Sequence, residues 1–262
     1  LVDNGGGGLV CPSGIAWFDN VDPNYTNLRI RFRKSDGGLL TNVTIANIKF
    51  TCSTRPDTGM NNGATEVTGF INIYNARHVR VLSCEFSHSW GGGVLFRSVE
   101  DGIINGCYAS DLWKDVFHFT RATKNCVRSY NVVSGAGDDA FAVVGYVADG
   151  VRPSNIRDIC NSVYGVRKAR AFSYVGAQDC ENIGCYVDGK VPDYIPEKVS
   201  PTGERYNTAC ALYIAAESSF GTYGCENITV TGFEGINIAP SINSYGTPTL
   251  TYQAIHISAG NG

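Results

Sequence analysis

The chain has 262 residues, a formal charge of −3 and only 17% charged side chains, so it carries no electrostatic footprint for nucleic acid or an anionic membrane surface. No apolar run approaches the roughly 18–20 residues that span a bilayer, which argues against membrane insertion. Thirty-one glycines and nine prolines, with few long helix-forming stretches, point to many short strands joined by turns. The chain opens at Leu1 rather than Met, which reads as a processed or excised piece of a longer protein.

The first clear element is "NLRIRFRK", where Leu28, Ile30 and Phe32 alternate with Arg29, Arg31 and Arg33 as in a strand with one wet face. "NVTIANIKF" at 42–50 supplies another. Pro, Gly and polar residues over 54–69 then mark an inserted loop. From there "ARHVRVLSCEFSHSWGGGVLF", "VEDGIINGCYASDLWKDVFHF" and "ATKNCVRSYNVVSGAGDDAFAV" align end to end. Cys84 to Cys107 and Phe96 to Phe119 each span 23 residues, and Phe119 to Val143 spans 24. The pattern continues through "SNIRDICNSVYGVRKARAFSYVG" and "AQDCENIGCYVDGK". A second inserted loop over 191–208 follows, then "TACALYIAAES" and "CENITVTGFEGINIA".

A period of about 23 residues made of short strands with no helix fits a solenoid whose coils stack at the ordinary strand spacing of about 4.8 Å. The expected fold is all-β: a single-stranded right-handed parallel β-helix forming one domain over 1–262. A β-sandwich is the competing reading, but it needs hairpin turns that the repeats do not require. The ten cysteines have no C-x-x-C pair, and Cys84, Cys107, Cys160 and Cys185 sit in apolar strand contexts. They read as buried thiols packing as small hydrophobes.

Aligning Phe96, Phe119, Val143 and Tyr174 puts Asp115, Asp139 and Arg170 in one column and Lys114 beside Asp138. Three carboxylates, Asp115, Asp138 and Asp139, then share a patch one or two coils high. Like charges that close raise at least one pKa, as general acid catalysis of glycosidic cleavage requires. Strict alternation sends Asp138 and Asp139 to opposite faces, so both reach solvent only if a turn or bulge extends to residue 138. The plainer alternative is a ladder in which the aspartates cap backbone groups and pair with Arg170.

"KDVFHF" followed one coil later by "GDDAFAV" resembles the polygalacturonase pattern, an N-T-D turn preceding a G-x-D-D turn on a right-handed β-helix. The resemblance implies that Asp115, Asp138 and Asp139 hydrolyse a glycosidic bond with inversion. The G-H-G turn and R-I-K triplet of that family have no counterpart, and the next coil carries "GVRKARAF". The architecture also resembles the pectin lyase-like β-helices of bacteriophage tailspikes and capsule depolymerases. That resemblance implies a homotrimer on the virion tail, with bacterial surface polysaccharide as substrate and unpaired interior cysteines. The sequons at Asn24, Asn42 and Asn227 keep a secreted enzyme as the alternative.

Around the aspartates, Trp90 and Trp113 stand 23 residues apart and are a candidate sugar platform or core. His118 should point away from Phe117 and Phe119, as a substrate or proton-transfer group or a solvated surface histidine. Arg167, Lys168 and Arg170 form the densest nearby basic cluster and would bind the carboxylates of an acidic sugar. The working expectation is a depolymerase of hydrolase type without cofactor or metal, with Asp115 and Asp138 as a diagonal acid and base spaced for inversion. A polysaccharide lyase is the second reading, with Tyr164 or Lys168 as base and Ca²⁺ held by the three aspartates. A glycan receptor-binding protein that cuts nothing is the third.

Overall fold

Alternating side chains along each short strand, stacked coil on coil, build the architecture of the computed structural model, which describes residues 9–10, 16–19, 29–51, 69–89, 91–167, 169–193, 208, 210–238 and 254–258. Each coil contributes three strands to three walls, A, B and C. In the coil starting at Phe117 these are Phe117–Thr120, Lys124–Ser129 and Val132–Ala136. In the next coil they are Phe141–Val144, Ser154–Ile159 and Ser162–Val166, and in the one after Arg170–Val175, Gln178–Ile183 and Tyr186–Asp188. Pairing between coils is parallel throughout. In Gly69–Leu82 and Gly92–Asn105 the A and B strands are fused, so one fifteen-stranded sheet bends through both walls. Wall C is a separate seven-stranded sheet. Among the described residues, antiparallel pairing of named strands occurs at the start, where Leu9–Val10 joins Thr44–Ile45 and Ala16–Asp19 joins Arg29–Phe32, and an isolated antiparallel bridge links Tyr146 to Thr222. The described chain is thus nearly all β in a curled, solenoid-like stack of mainly parallel strands.

The register anticipated from the repeats is the one observed: Phe119 pairs with Phe96 below and Val143 above, and Val143 pairs with Tyr174. Inward residues of wall A form columns. Phe96 stacks on Phe119 and Phe141 on Phe172, each pair at 4.8 Å between centroids and within 10° of parallel. That distance is the spacing between strands, so like rings in register stack without displacing the backbone. Each such buried ring contributes about 1.5–3 kcal/mol.

Corners explain the abundance of asparagine and aspartate. Near the start of every wall B strand one residue is left-handed: Asn42, His78, Asp101, Asn125, Asn155, Asp179 and Asn227, with φ of 52–58°. Asn, Asp and His are the side chains that tolerate this region best. Their amides also tie coils together, Asn155 Nδ2 donating to Asn125 Oδ1 (2.8 Å) and Asn227 Nδ2 to Asp179 Oδ1 (2.9 Å). Two of the three sequon asparagines, Asn42 and Asn227, therefore have a backbone reason to be there; Asn24 lies outside the described residues. A second left-handed column turns wall B into wall C and includes Ser83, Gly106, Tyr130, Cys160 and Gly184.

The cysteine expectation needs one correction. Cys84, Cys107 and Cys185 are buried, but Cys160 is exposed, because it occupies the corner itself and Asn161 takes the interior position in that coil. All eight described cysteines are free thiols. Where cysteine gives way to asparagine, Asn131 Nδ2 donates to Asn161 Oδ1 (3.0 Å) and Asn131 Oδ1 accepts from the Cys107 amide (2.9 Å), so the buried amides are satisfied.

The interior between walls A and B also holds charge. Arg128 and Asp158, adjacent in register and fully buried, form a two-pronged pair with Nε–Oδ1 and Nη2–Oδ2 both 2.7 Å. No helix among the described residues is long and apolar enough to cross a membrane. The two proposed inserted loops, 54–69 and 191–208, fall almost wholly outside the described residues.

Candidate active site

The corner from wall C to wall A carries the candidate residues. Wall C ends at Ala136 and wall A resumes at Phe141, so residues 137–140 form a turn and strand alternation does not apply to Asp138 and Asp139. Gly137 permits the turn, since a Cβ there would lie 2.4 Å from the Trp113 carbonyl oxygen of the coil below. Its amide donates to Leu112 O (2.6 Å), locking the two corners together. Both aspartates then converge with Asp115, and the three place one carboxylate oxygen each within 4.8 Å of one another.

Part of this convergence is scaffolding. The Asp139 amide donates to Asp115 Oδ1 (3.1 Å), and the Arg170 amide donates to Asp139 Oδ1 (3.0 Å). Each aspartate of the column thus caps the backbone of the coil above, as the ladder alternative anticipated. Asp115 Oδ2 lies 2.5 Å from His118 Nδ1. Both oxygens of Asp115 are therefore engaged, whereas Asp138 is half-buried and holds its carboxylate at the mouth of the corner.

Crowding decides the charge. Loss of water, joined by the Asp115 charge, pushes Asp138 up to about 6 against the pull of Arg170 and Lys114. Asp139 is pushed up to about 8, chiefly by burial, with Asp115 and Asp138 adding to it and Arg170 opposing. The coupled cluster therefore holds a proton near neutrality while keeping negative charge beside it.

Arg170 lies against this cluster with Nε 3.3 Å from Asp139 Oδ1, and its Nη2 donates to Glu217 Oε1 (2.6 Å). Its guanidinium lies over the Tyr213 ring at 4.3 Å. Glu217 is brought in by two excursions from the coils, 145–153 and 216–224. These hold each other through Val147 N–Gly221 O (2.8 Å) and Tyr223 N–Gly145 O (3.0 Å). Tyr146, at the root of the first, is pushed up by burial and by the charges of Asp115 and Glu217.

Several expectations change here. His118 points away from the phenylalanines as parity required, yet it is buried (2% exposed) rather than solvated, and Asp115 fixes its ring. Its Nε2 is sealed from water without a hydrogen-bond partner. The basic cluster splits, because neighbours in a turn take opposite sides. Arg170 joins the acidic corner, but Arg167 is buried against Asp111, which also meets His88 Nδ1 (3.0 Å). Arg167 lies 5.4 Å over the Trp113 ring, so one face of the half-buried indole is covered by a cation. Trp90 and Lys168 lie outside the described residues. Tyr164 is on the exposed face of wall C.

One oxygen of Asp115 and one of the expected diagonal partner Asp138 come within 4.8 Å, closer than the spacing of about 6.5–9.5 Å at which an inverting acid and base stand. The same three oxygens are spaced to ligate a metal ion, and calcium, which takes 6–8 oxygen ligands, would need others to join them beside the donors on Asp115 and the Arg170 contact to Asp139. Glu217, Tyr146 and Tyr213 escaped the sequence reading. Tyr213 was within reach, since placing "CALYIAAES" on the wall A register puts it one coil above Ser173. Glu217 lies beyond the strand end, where register gives no guide.

No protein-family model, curated protein or solved structure gives a significant match to this chain.

Proposed function

We propose that the protein is a right-handed parallel β-helix that cleaves polysaccharide as a glycoside hydrolase, in the manner of a tailspike depolymerase acting on bacterial surface glycans. The right-handed turn is supported by the near-universal hand of parallel crossover connections. The observation that carries the chemistry is the corner where three carboxylates converge within 4.8 Å and Asp138 and Asp139 are pushed towards neutral pKa values. A carboxyl group that keeps its proton at neutral pH is the donor that a departing glycosidic oxygen needs. The Asp138–Asp139 pair supplies it. Asp115, with both oxygens engaged, holds the pair in place and raises its proton affinity. Homotrimeric assembly and a virion-tail location belong to the same reading and rest on resemblance alone.

The backbone caps made by Asp115 and Asp139 favour a second reading, a glycan-binding shaft in which the aspartates are structural. Incubation with a panel of capsular and pectic polysaccharides separates the two, with reducing ends and the ultraviolet absorbance of unsaturated uronates read together. Hydrolysis gives new reducing ends without absorbance, and Asp138→Asn and Asp139→Asn abolish them. Absorbance would move the chemistry to a lyase. Silence on a glycan that the protein binds would leave a receptor-binding protein.

A further inference from the structure

We propose that Glu217 is the second carboxylate of the reaction, the base that activates water opposite the Asp138–Asp139 proton donor. This rests on the hydrolase reading above and supplies the partner that the three clustered aspartates cannot. One oxygen of each lies within 4.8 Å of the others, closer than an inverting acid and base at about 6.5–9.5 Å. Glu217 comes from a separate segment, the 216–224 excursion, which 145–153 holds through Val147 N–Gly221 O and Tyr223 N–Gly145 O. One guanidinium fixes both groups, Asp139 at Nε (3.3 Å) and Glu217 at Nη2 (2.6 Å), which limits their separation to about 8 Å, compatible with the spacing of inverting pairs. One face of that guanidinium is covered by the Tyr213 ring at 4.3 Å.

The chemistry balances without a further reactant. The Asp138–Asp139 proton passes to the glycosidic oxygen as the bond from that oxygen to the anomeric carbon breaks. Water attacks the same carbon from the opposite side and gives its proton to the Glu217 carboxylate. The products are an alcohol and a hemiacetal of inverted configuration, and solvent returns the proton from Glu217 to the aspartate pair.

The test uses the full chain and whichever polysaccharide of the panel the wild type cleaves, with Glu181→Gln on wall B as the control. Glu217→Gln and Glu217→Ala should lower kcat by about a hundredfold or more, with KM within a few-fold. Azide should partly restore Glu217→Ala and yield a glycosyl azide of inverted configuration, and proton NMR of early wild-type product should show the inverted anomer. Retention of more than a third of wild-type turnover by Glu217→Ala overturns the proposal. So does a retained anomer, or a loss that azide does not relieve, which a merely structural tie to Arg170 would give; all three leave hydrolysis by the aspartates standing. A wild type that cleaves nothing in the panel overturns the hydrolase reading itself, and this assignment with it.

Discussion

Arg128–Asp158 and the Asp115–Asp138–Asp139 corner lie on neighbouring coils, and both hold carboxylates where water is scarce, yet they answer charge in opposite ways. Inside the solenoid the Arg128–Asp158 pair is matched at every nitrogen of the guanidinium. Arg128 gives two hydrogen bonds to Asp158 and two more to the carbonyls of Phe117 (2.6 Å) and Ala142 (3.0 Å), and Tyr174 donates its hydroxyl to Asp158 Oδ2 (2.6 Å). Phe119 and Phe141 cover the guanidinium at 4.7 and 5.3 Å. At the corner, three carboxylates face Arg170, and Arg170 is shared with a fourth, Glu217. A matched buried pair fixes one conformation, whereas surplus negative charge stores a proton. The first arrangement serves the fold, and the second, on the proposed hydrolase reading, supplies the proton for chemistry.

The largest effect tests the matched side. Asp158→Ala leaves Arg128 charged and unpaired in the core and should cost about 3–5 kcal/mol, read by urea unfolding. A variant that loses less than 1 kcal/mol would show that the interior charge is relieved by water.

Asp139→Asn should act in the opposite sense on stability. With its folded pKa near 8, above the unfolded carboxylate value of about 4, Asp139 binds its proton more tightly when folded. The stability it contributes is complete below about pH 4 and is lost as pH rises through 8. The asparagine variant escapes that loss and can still accept the Arg170 amide. It should unfold about 1–3 kcal/mol later than wild type at pH 9 while hydrolysis falls a hundredfold or more. Loss of stability at pH 9 would make the corner a second matched pair.

Wild-type turnover should decline as pH rises through about 8, where the donor proton leaves. Asp138→Asn removes one of the charges that raise Asp139, so whatever activity survives should show that limb at lower pH. An unmoved limb would assign the proton to another group. The smallest effect lies outside both regions: Asn155→Ala, at a left-handed position with φ of 52°, should cost about 1–2 kcal/mol in thermal unfolding.

Spacing alone revealed the register, the phenylalanine columns and the column of Asp115, Asp139 and Arg170, because stacked coils repeat in both sequence and space. The partner of Asp158 was hidden. Arg128 lies one coil away but thirty residues earlier, since the 145–153 excursion lengthens that coil, and nothing local in "SNIRDIC" marks its aspartate as paired. Turns hid the rest: Arg167 and Arg170 are three residues apart and face different environments, which no alternation rule assigns. His118 was legible in direction but not in burial, which alternation along a strand does not fix.

The excursions at 145–153 and 216–224 leave the stack undisturbed. Phe141 still pairs with Phe172 across the first excursion, and Glu181 with Thr229 beyond the second. Closing a longer loop costs only about 0.6 kcal/mol per doubling of its length. Evolution can therefore rewrite these segments, or exchange them between relatives, at little expense to folding. The stacked coils would act as a chassis that is inherited nearly unchanged, and on the proposed hydrolase reading preference for one glycan over another would drift quickly in the segments beside the corner.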